Sequence, residues 1–186
     1  DPGVQWIRIP EDLNDLHSPK GESDKIASWI FIAPIWVLPD YFPMLVKYGA
    51  RRIVAVSSTS IFTKSHSGSD EEKSTALKLS TAETRLEQWS AQTGVEWIVL
   101  RPTLIYGRGM DKNISEIVRL IRRLGFFPLL GEGSGLRQPV HAEDVAMACL
   151  SALEKTDVVN RAYNLSGGET LSYREMVNRL FTTLGR

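Results

Sequence analysis

Short apolar runs rich in β-branched residues alternate along this chain with longer stretches whose apolar residues recur every three to four positions. Trp29-Ile30-Phe31-Ile32-Ala33, Ile53-Val54-Ala55-Val56 and Trp97-Ile98-Val99-Leu100 are too short for helices and apolar on both faces, the pattern of strands buried in a parallel sheet. Val4 to Ile9, Leu136 to Val140 and Ala162 to Leu165 predict further strands. Between them, Leu38 to Tyr48 predicts a helix with Pro39 in its first turn and Gly49 as its stop. Lys73 to Thr93 predicts the longest helix, with the stripe Leu79, Ala82, Leu86 and Trp89 and a stop at Gly94. Asn113 to Leu124 turns Ile114, Ile117, Leu120 and Ile121 inward and Arg119, Arg122 and Arg123 to solvent. Ala142 to Leu153 buries Val145, Ala148, Cys149 and Ala152, and the capping box Ser172-x-x-Glu175 begins a last helix. Glu11 to Lys25, with a short helix through Leu13 and Leu16, and residues 64 to 72 read as polar loops. Strand and helix alternate throughout, which predicts βαβ units and an α/β fold with a doubly wound, mostly parallel sheet.

In such sheets ligands bind beyond the carboxyl ends of the strands. Ser57, Ser58 and Thr59 leave the strand ending at Val56, so they are the first candidates for chemistry. The same hydroxyls could instead satisfy backbone groups at a strand end, and the residues alone leave both roles open. Composition narrows the classes. At 186 residues, with 42% apolar and 24% charged side chains, the chain can bury one substantial core. Twenty-two basic and twenty-two acidic residues cancel, which argues against a nucleic-acid partner. A single cysteine, Cys149, and three scattered histidines offer neither a disulfide nor a metal cluster, and fit a reducing, cytoplasmic setting. The longest apolar run, Trp29 to Leu38, is interrupted by Pro34 and too short to span a membrane. Gly131-Glu132-Gly133-Ser134-Gly135 could bring amides to a phosphate, but it does not lead from a strand straight into a helix, so the signal is weak.

Four motifs in order resemble the extended short-chain dehydrogenase/reductase family, the NAD-dependent epimerase/dehydratase family of nucleotide-sugar enzymes. Val56-Ser57-Ser58-Thr59-Ser60-Ile61-Phe62 is similar to its strand bearing the catalytic Ser or Thr, and Arg101-Pro102-Thr103-Leu104-Ile105-Tyr106-Gly107 to its segment beside the nicotinamide. Gly131 to Ala146, with Arg137-x-x-x-His141-x-x-Asp144-Val145-Ala146, resembles its signature over the sugar-nucleotide site, and Tyr163-Asn164-Leu165-Ser166-Gly167-Gly168 its closing motif. The resemblance implies a Rossmann-like fold in which residues 1–107 carry the later strands of a dinucleotide-binding sheet and residues 108–186 a substrate-binding segment. It implies NAD or NADP as cofactor, lined by Ala33, Pro34, Ser57, Pro102 and Thr103, with Ser58 as the catalytic hydroxyl. Thr59, Tyr106 and Arg137 would meet a nucleotide-sugar, Arg137 gripping its diphosphate as a bidentate guanidinium can. His141 and Asp144 read as capping and packing groups. A homodimer through the helices flanking the Ser58 strand is also implied, with Leu45, Leu86 and Trp89 contributing.

Two departures from the family pattern qualify what the resemblance implies. The glycine-rich phosphate loop after the first strand and the acidic residue ending the second are absent, so the reading expects a fold incomplete at its N-terminus. The family's Tyr and Lys, four residues apart, fall on Thr75 and Leu79 when Glu83 anchors the comparison, and neither can serve as base. Ser74 and Lys78 share the spacing one residue earlier, turned about 100° round the helix. Thr59 stands where dehydratases carry an acid and cannot protonate a leaving hydroxyl at neutral pH, which argues against dehydration. The expected function is an epimerase- or reductase-like protein acting on a nucleotide-sugar; the alternative is a catalytically silent NAD(P) sensor or scaffold on the same fold.

Overall fold

The computed structural model describes residues 25–109, 111–129 and 131–186; the predicted Val4 to Ile9 strand and the Glu11 to Lys25 loop lie outside them, save Lys25. Four parallel strands form the main sheet in the order β1 (Ser28–Phe31), β2 (Arg52–Val56), β3 (Glu96–Pro102) and β7 (Arg161–Leu165). Successive side chains of a strand point to opposite faces, and each face is buried against different helices. Ile53, Ala55, Trp97 and Val99 pack with the 3-10 helix Ile35–Tyr41, α1 (Phe42–Lys47) and α3 (Asp70–Thr93). Val54, Ile98 and Leu100 pack on the other face, against Val145, Cys149 and Ala152 of α5 (Ala142–Glu154). The sheet is therefore doubly wound, as the alternating pattern requires. Arg52, just ahead of the apolar run, donates to the carbonyls of Leu153 (2.7 Å) and Lys155 (2.9 Å), which ties down the end of α5.

A third cluster, Ile117, Ile121, Leu171, Met176 and Val177, joins α4 (Ile114–Leu124) to α6 (Tyr173–Thr183) beside the sheet. Two small ribbons connect it to the rest. β4 (Leu104–Tyr106) pairs in parallel with β6 (Pro139–His141), and β5 (Leu136–Arg137) pairs antiparallel with β8 (Leu171–Ser172). A short helix, α2 (Ser60–Thr63), follows the end of β2.

Several predicted elements differ in detail. The helix expected from Leu38 is split into the 3-10 helix and α1, with Pro39 inside the former and Pro43 in the first turn of the latter. Neither proline has the N–H that a continuous α-helix needs four residues after its acceptor. The long helix starts at Asp70 rather than Lys73, because Asp70, Glu71 and Glu72 complement the positive N-terminal end of the helix dipole. Leu136 to Val140 is two strands in two ribbons, broken at Gln138, whose carbonyl accepts the Thr103 hydroxyl. Ile30 and Ile32 are exposed, since β1 pairs only with β2 among the described residues. Leu45 and Leu86 are fully buried in the core, which leaves neither available to a dimer surface, and the partly buried Trp89 stacks on Phe42 at 4.4 Å.

Candidate functional site

Strand β2 delivers Ser57, Ser58 and Thr59 to its carboxyl end, and parallel pairing sets them beside the end of β3. The Thr59 N–H donates to Pro102 O at 3.1 Å, and its hydroxyl reaches the same carbonyl at 3.4 Å. The next residue, Thr103, donates its N–H to Leu165 O at 3.0 Å and its hydroxyl to Gln138 O, adjacent to Arg137. The predicted positions 57–59, 102–103 and 137 thus lie on one connected path across the sheet edge. Ala33 and Pro34 are exposed just past β1, where Pro34 precedes the 3-10 helix.

Each hydroxyl on this path already has a partner. Ser57 is buried and donates to Glu83 Oε1 at 2.5 Å. Glu83, also buried, receives Arg101 Nε on both oxygens at 3.1 Å and Arg101 Nη2 on Oε2, a bidentate ion pair. Arg101 stands 5.1 Å from the Phe62 ring centroid. This network fastens α3 to the ends of β2 and β3, and it uses the Ser57 side chain for structure. Ser58 Oγ accepts the Ser60 N–H at 3.1 Å and donates to Ser60 Oγ at 3.0 Å, a local turn that starts α2.

The long helix offers no family dyad. Thr75 donates its hydroxyl to Glu71 O at 3.0 Å, and Leu79 is buried in the core. Ser74 and Lys78 are exposed on the outer face.

The second half of the site is an open groove of about 660 Å³ between α4 and the β5–α6 segment. Arg137 lines it, its guanidinium 5.5 Å from the Tyr173 ring centroid and bonded to Leu136 O at 2.8 Å. It forms no ion pair among the described residues. Lys112, Arg119 and Arg123 line the same groove, with Phe127 and Tyr173 as aromatic walls and Glu116 as the one acid. Arg119 and Arg123 are exposed, as a solvated face predicts, and their i, i+4 spacing sets them side by side in the groove; Lys112, Glu116, Phe127 and Tyr173 carry no such signal in the sequence.

Supporting turns are fixed by close approach. At Gly167 a Cβ would stand 1.8 Å from Pro139 O, so only glycine lets this turn pack on β6. Carbonyls of the glycine loop accept amides of α6: Tyr173 N–H to Gly135 O (2.8 Å) and Arg174 N–H to Gly133 O (2.9 Å). The loop seats α6 and the Tyr173 wall; no cradle of amides for a phosphate is formed from these contacts. His141 caps α5, its Nδ1 accepting the Glu143 N–H at 3.3 Å, and packs edge-on against Tyr106 at 5.2 Å. Among the described residues no group of acids, histidines and cysteines could hold a metal, and no helix is long and apolar enough to cross a membrane.

Residues 42–166 match the model of the NAD dependent epimerase/dehydratase family. The chain belongs to this family. Among curated relatives, it is 24% identical over 110 residues to a UDP-glucose 4-epimerase of Vibrio cholerae, covering 59% of this chain and 34% of that protein. It is 32% identical over 92 residues to a 2-alkyl-3-oxoalkanoate reductase of Stenotrophomonas maltophilia, covering 47% of this chain and 28% of the reductase. The fold superposes on the UDP-glucuronic acid 4-epimerase of Bacillus cereus, solved with UDP-glucuronic acid and NAD, at a TM-score of 0.69 and 17% identity, over 82% of this chain and 51% of that one. The chain therefore covers about a third of each of these two curated relatives, and about half of that solved structure.

Proposed function

We propose that this family member binds a nucleotide-linked sugar in the groove between α4 and α6, next to an NAD or NADP site at the carboxyl edge of the main sheet. Arg137 carries this reading. It is a guanidinium without a carboxylate partner among the described residues, poised over Tyr173 in a groove with three further cations. A diphosphate answers that charge, and Phe127 and Tyr173 offer faces to a base or sugar. Thr59 would extend the contact surface from the end of β2, whereas Tyr106 lines the opposite flank of α4.

At the sheet edge, Ala33, Pro34, Pro102 and Thr103 and the backbone of Ser57 would line the nicotinamide half of the cofactor. They fit that half only, because the described residues include no glycine-rich turn into a helix for its pyrophosphate. The bound cofactor would supply or accept hydride. Ser58 would exchange its bond to Ser60 for one to a substrate oxygen, orienting the carbon that changes oxidation state. With Thr75 and Leu79 in place of the tyrosine and lysine, the chain supplies no tyrosinate base. That observation favours a second reading, a silent NAD(P) sensor. A single buried cysteine supports a reducing, cytoplasmic setting for either.

Ligand-induced melting separates them. Nucleotide-sugars at a hundred times the wild-type Kd should stabilise the wild type by about 2.7 kcal/mol, and Arg137→Ala, binding about tenfold to a hundredfold more weakly, should cut this to about 0.4–1.4 kcal/mol. A shift with NAD(P)H but with no nucleotide-sugar would replace the first reading by the second.

A further inference from the structure

We propose that the opposite flank of α4 holds a second anion site, for a small ligand bearing a phosphoryl or pyrophosphoryl group. This flank is a groove of about 630 Å³ bordered by Tyr106, Gly107, Gly109 and Asp111. Arg119, Arg122 and Arg123 line it; Arg119 and Arg123 also border the Arg137 groove, whereas Arg122 belongs to this flank alone. At positions i, i+3 and i+4 the three guanidinia crowd one side of the helix and repel one another. None has an ion-pair partner among the described residues. The acid on this wall, Asp111, is already engaged, since its oxygens accept Ser115 Oγ (2.5 Å), Ser115 N–H (3.0 Å) and Asn113 N–H (3.1 Å). It anchors the start of α4 and forms an ion pair with none of the three arginines.

The facing wall carries a free donor. The Tyr106 hydroxyl makes no hydrogen bond among the described residues, and its ring is held edge-on by His141. Gly107, at φ 128°, lets the backbone approach His141, because a Cβ there would sit 2.7 Å from its Nε2. A phosphoryl group can thus take charge-assisted hydrogen bonds from the arginines and one from the phenol, while Ile114 and Val118 receive an apolar portion of the ligand.

The test is calorimetric titration of the whole chain with inorganic pyrophosphate. The wild type should take up two equivalents. Arg122→Gln, an exposed change that leaves the core untouched, should weaken one event about tenfold or more and leave the other unchanged. Tyr106→Phe should weaken the same event, and Arg137→Gln only the other. Pyrophosphate binding by Arg122→Gln that equals the wild type would overturn the site and leave the arginines as cations at the C-terminal turn of α4. Loss of one shared event in both arginine variants would overturn it too, as it would mean a single continuous groove. Since Arg122 lies outside the Arg137 groove, failure here leaves the nucleotide-sugar reading standing.

Discussion

Arg101 and Arg137 each sit on a strand leading into the site, and their surroundings are opposite. Arg101 is shielded from water, clasped by Glu83 and capped by Phe62, and Glu83 in turn holds Ser57. Arg137 is exposed and uncompensated, with its nearest charged neighbours in the groove mostly cations. A charge removed from water requires a partner, and breaking such a pair leaves the other ion stranded. An exposed charge needs none, and stays available to a ligand. On this contrast rests the proposal that the strand-end network serves the fold and the α4 groove a ligand.

The largest expected effect comes from breaking the first region. Glu83→Gln keeps the shape but strands Arg101, and should lower unfolding stability by about 3–5 kcal/mol in denaturant titration. Gly167→Ala should cost about 1–3 kcal/mol, because the Pro139 carbonyl must move to admit the methyl group. Arg137→Ala sharpens the comparison from the other side. Its stability should stay within about 0.5 kcal/mol of wild type, while nucleotide-sugar affinity falls about tenfold to a hundredfold, read by calorimetry.

The smallest effect is electrostatic. Partial burial works against ionising Asp111, but the hydrogen bonds from Ser115, Asn113 and Ile114 outweigh it and hold the carboxyl below its ordinary value of 3.8. A depressed carboxyl pKa adds stability above the unfolded value, which disappears as pH falls through the folded value. The helical signal of α4 should therefore weaken modestly in acid below about pH 3.9, and Asp111→Asn should flatten that dependence.

The alternation of runs such as Ile53–Val56 with the Leu79–Leu86 stripe made the doubly wound sheet legible, because each periodicity reports a face that must be buried. Element ends were less so. Pro39 and Pro43 divide a helix that hydropathy alone runs together, and the acidic start of α3 has loop-like composition although the helix dipole favours it. For the site, the motif residues around 57–59, 102–103 and 137 could be found in the sequence, and the structure brings them onto one edge. That Ser57 is spent on Glu83 could not be read, since the two are 26 residues apart and meet only through the packing of α3. Nor could the company of Arg137, since Lys112, Phe127 and Tyr173 come from three separate segments.

On the proposed reading, charge at the strand ends serves the fold while charge beside α4 serves a ligand. The most direct test measures both properties, denaturant stability and UDP-sugar affinity, in Glu83→Gln and Arg137→Ala. A crossed result is expected: Glu83→Gln loses stability but binds near wild-type affinity at temperatures where it remains folded, and Arg137→Ala keeps stability but binds about tenfold to a hundredfold more weakly. If Arg137→Ala binds UDP-sugars as the wild type does, or destabilises the protein as much as Glu83→Gln, the division between the two regions is wrong.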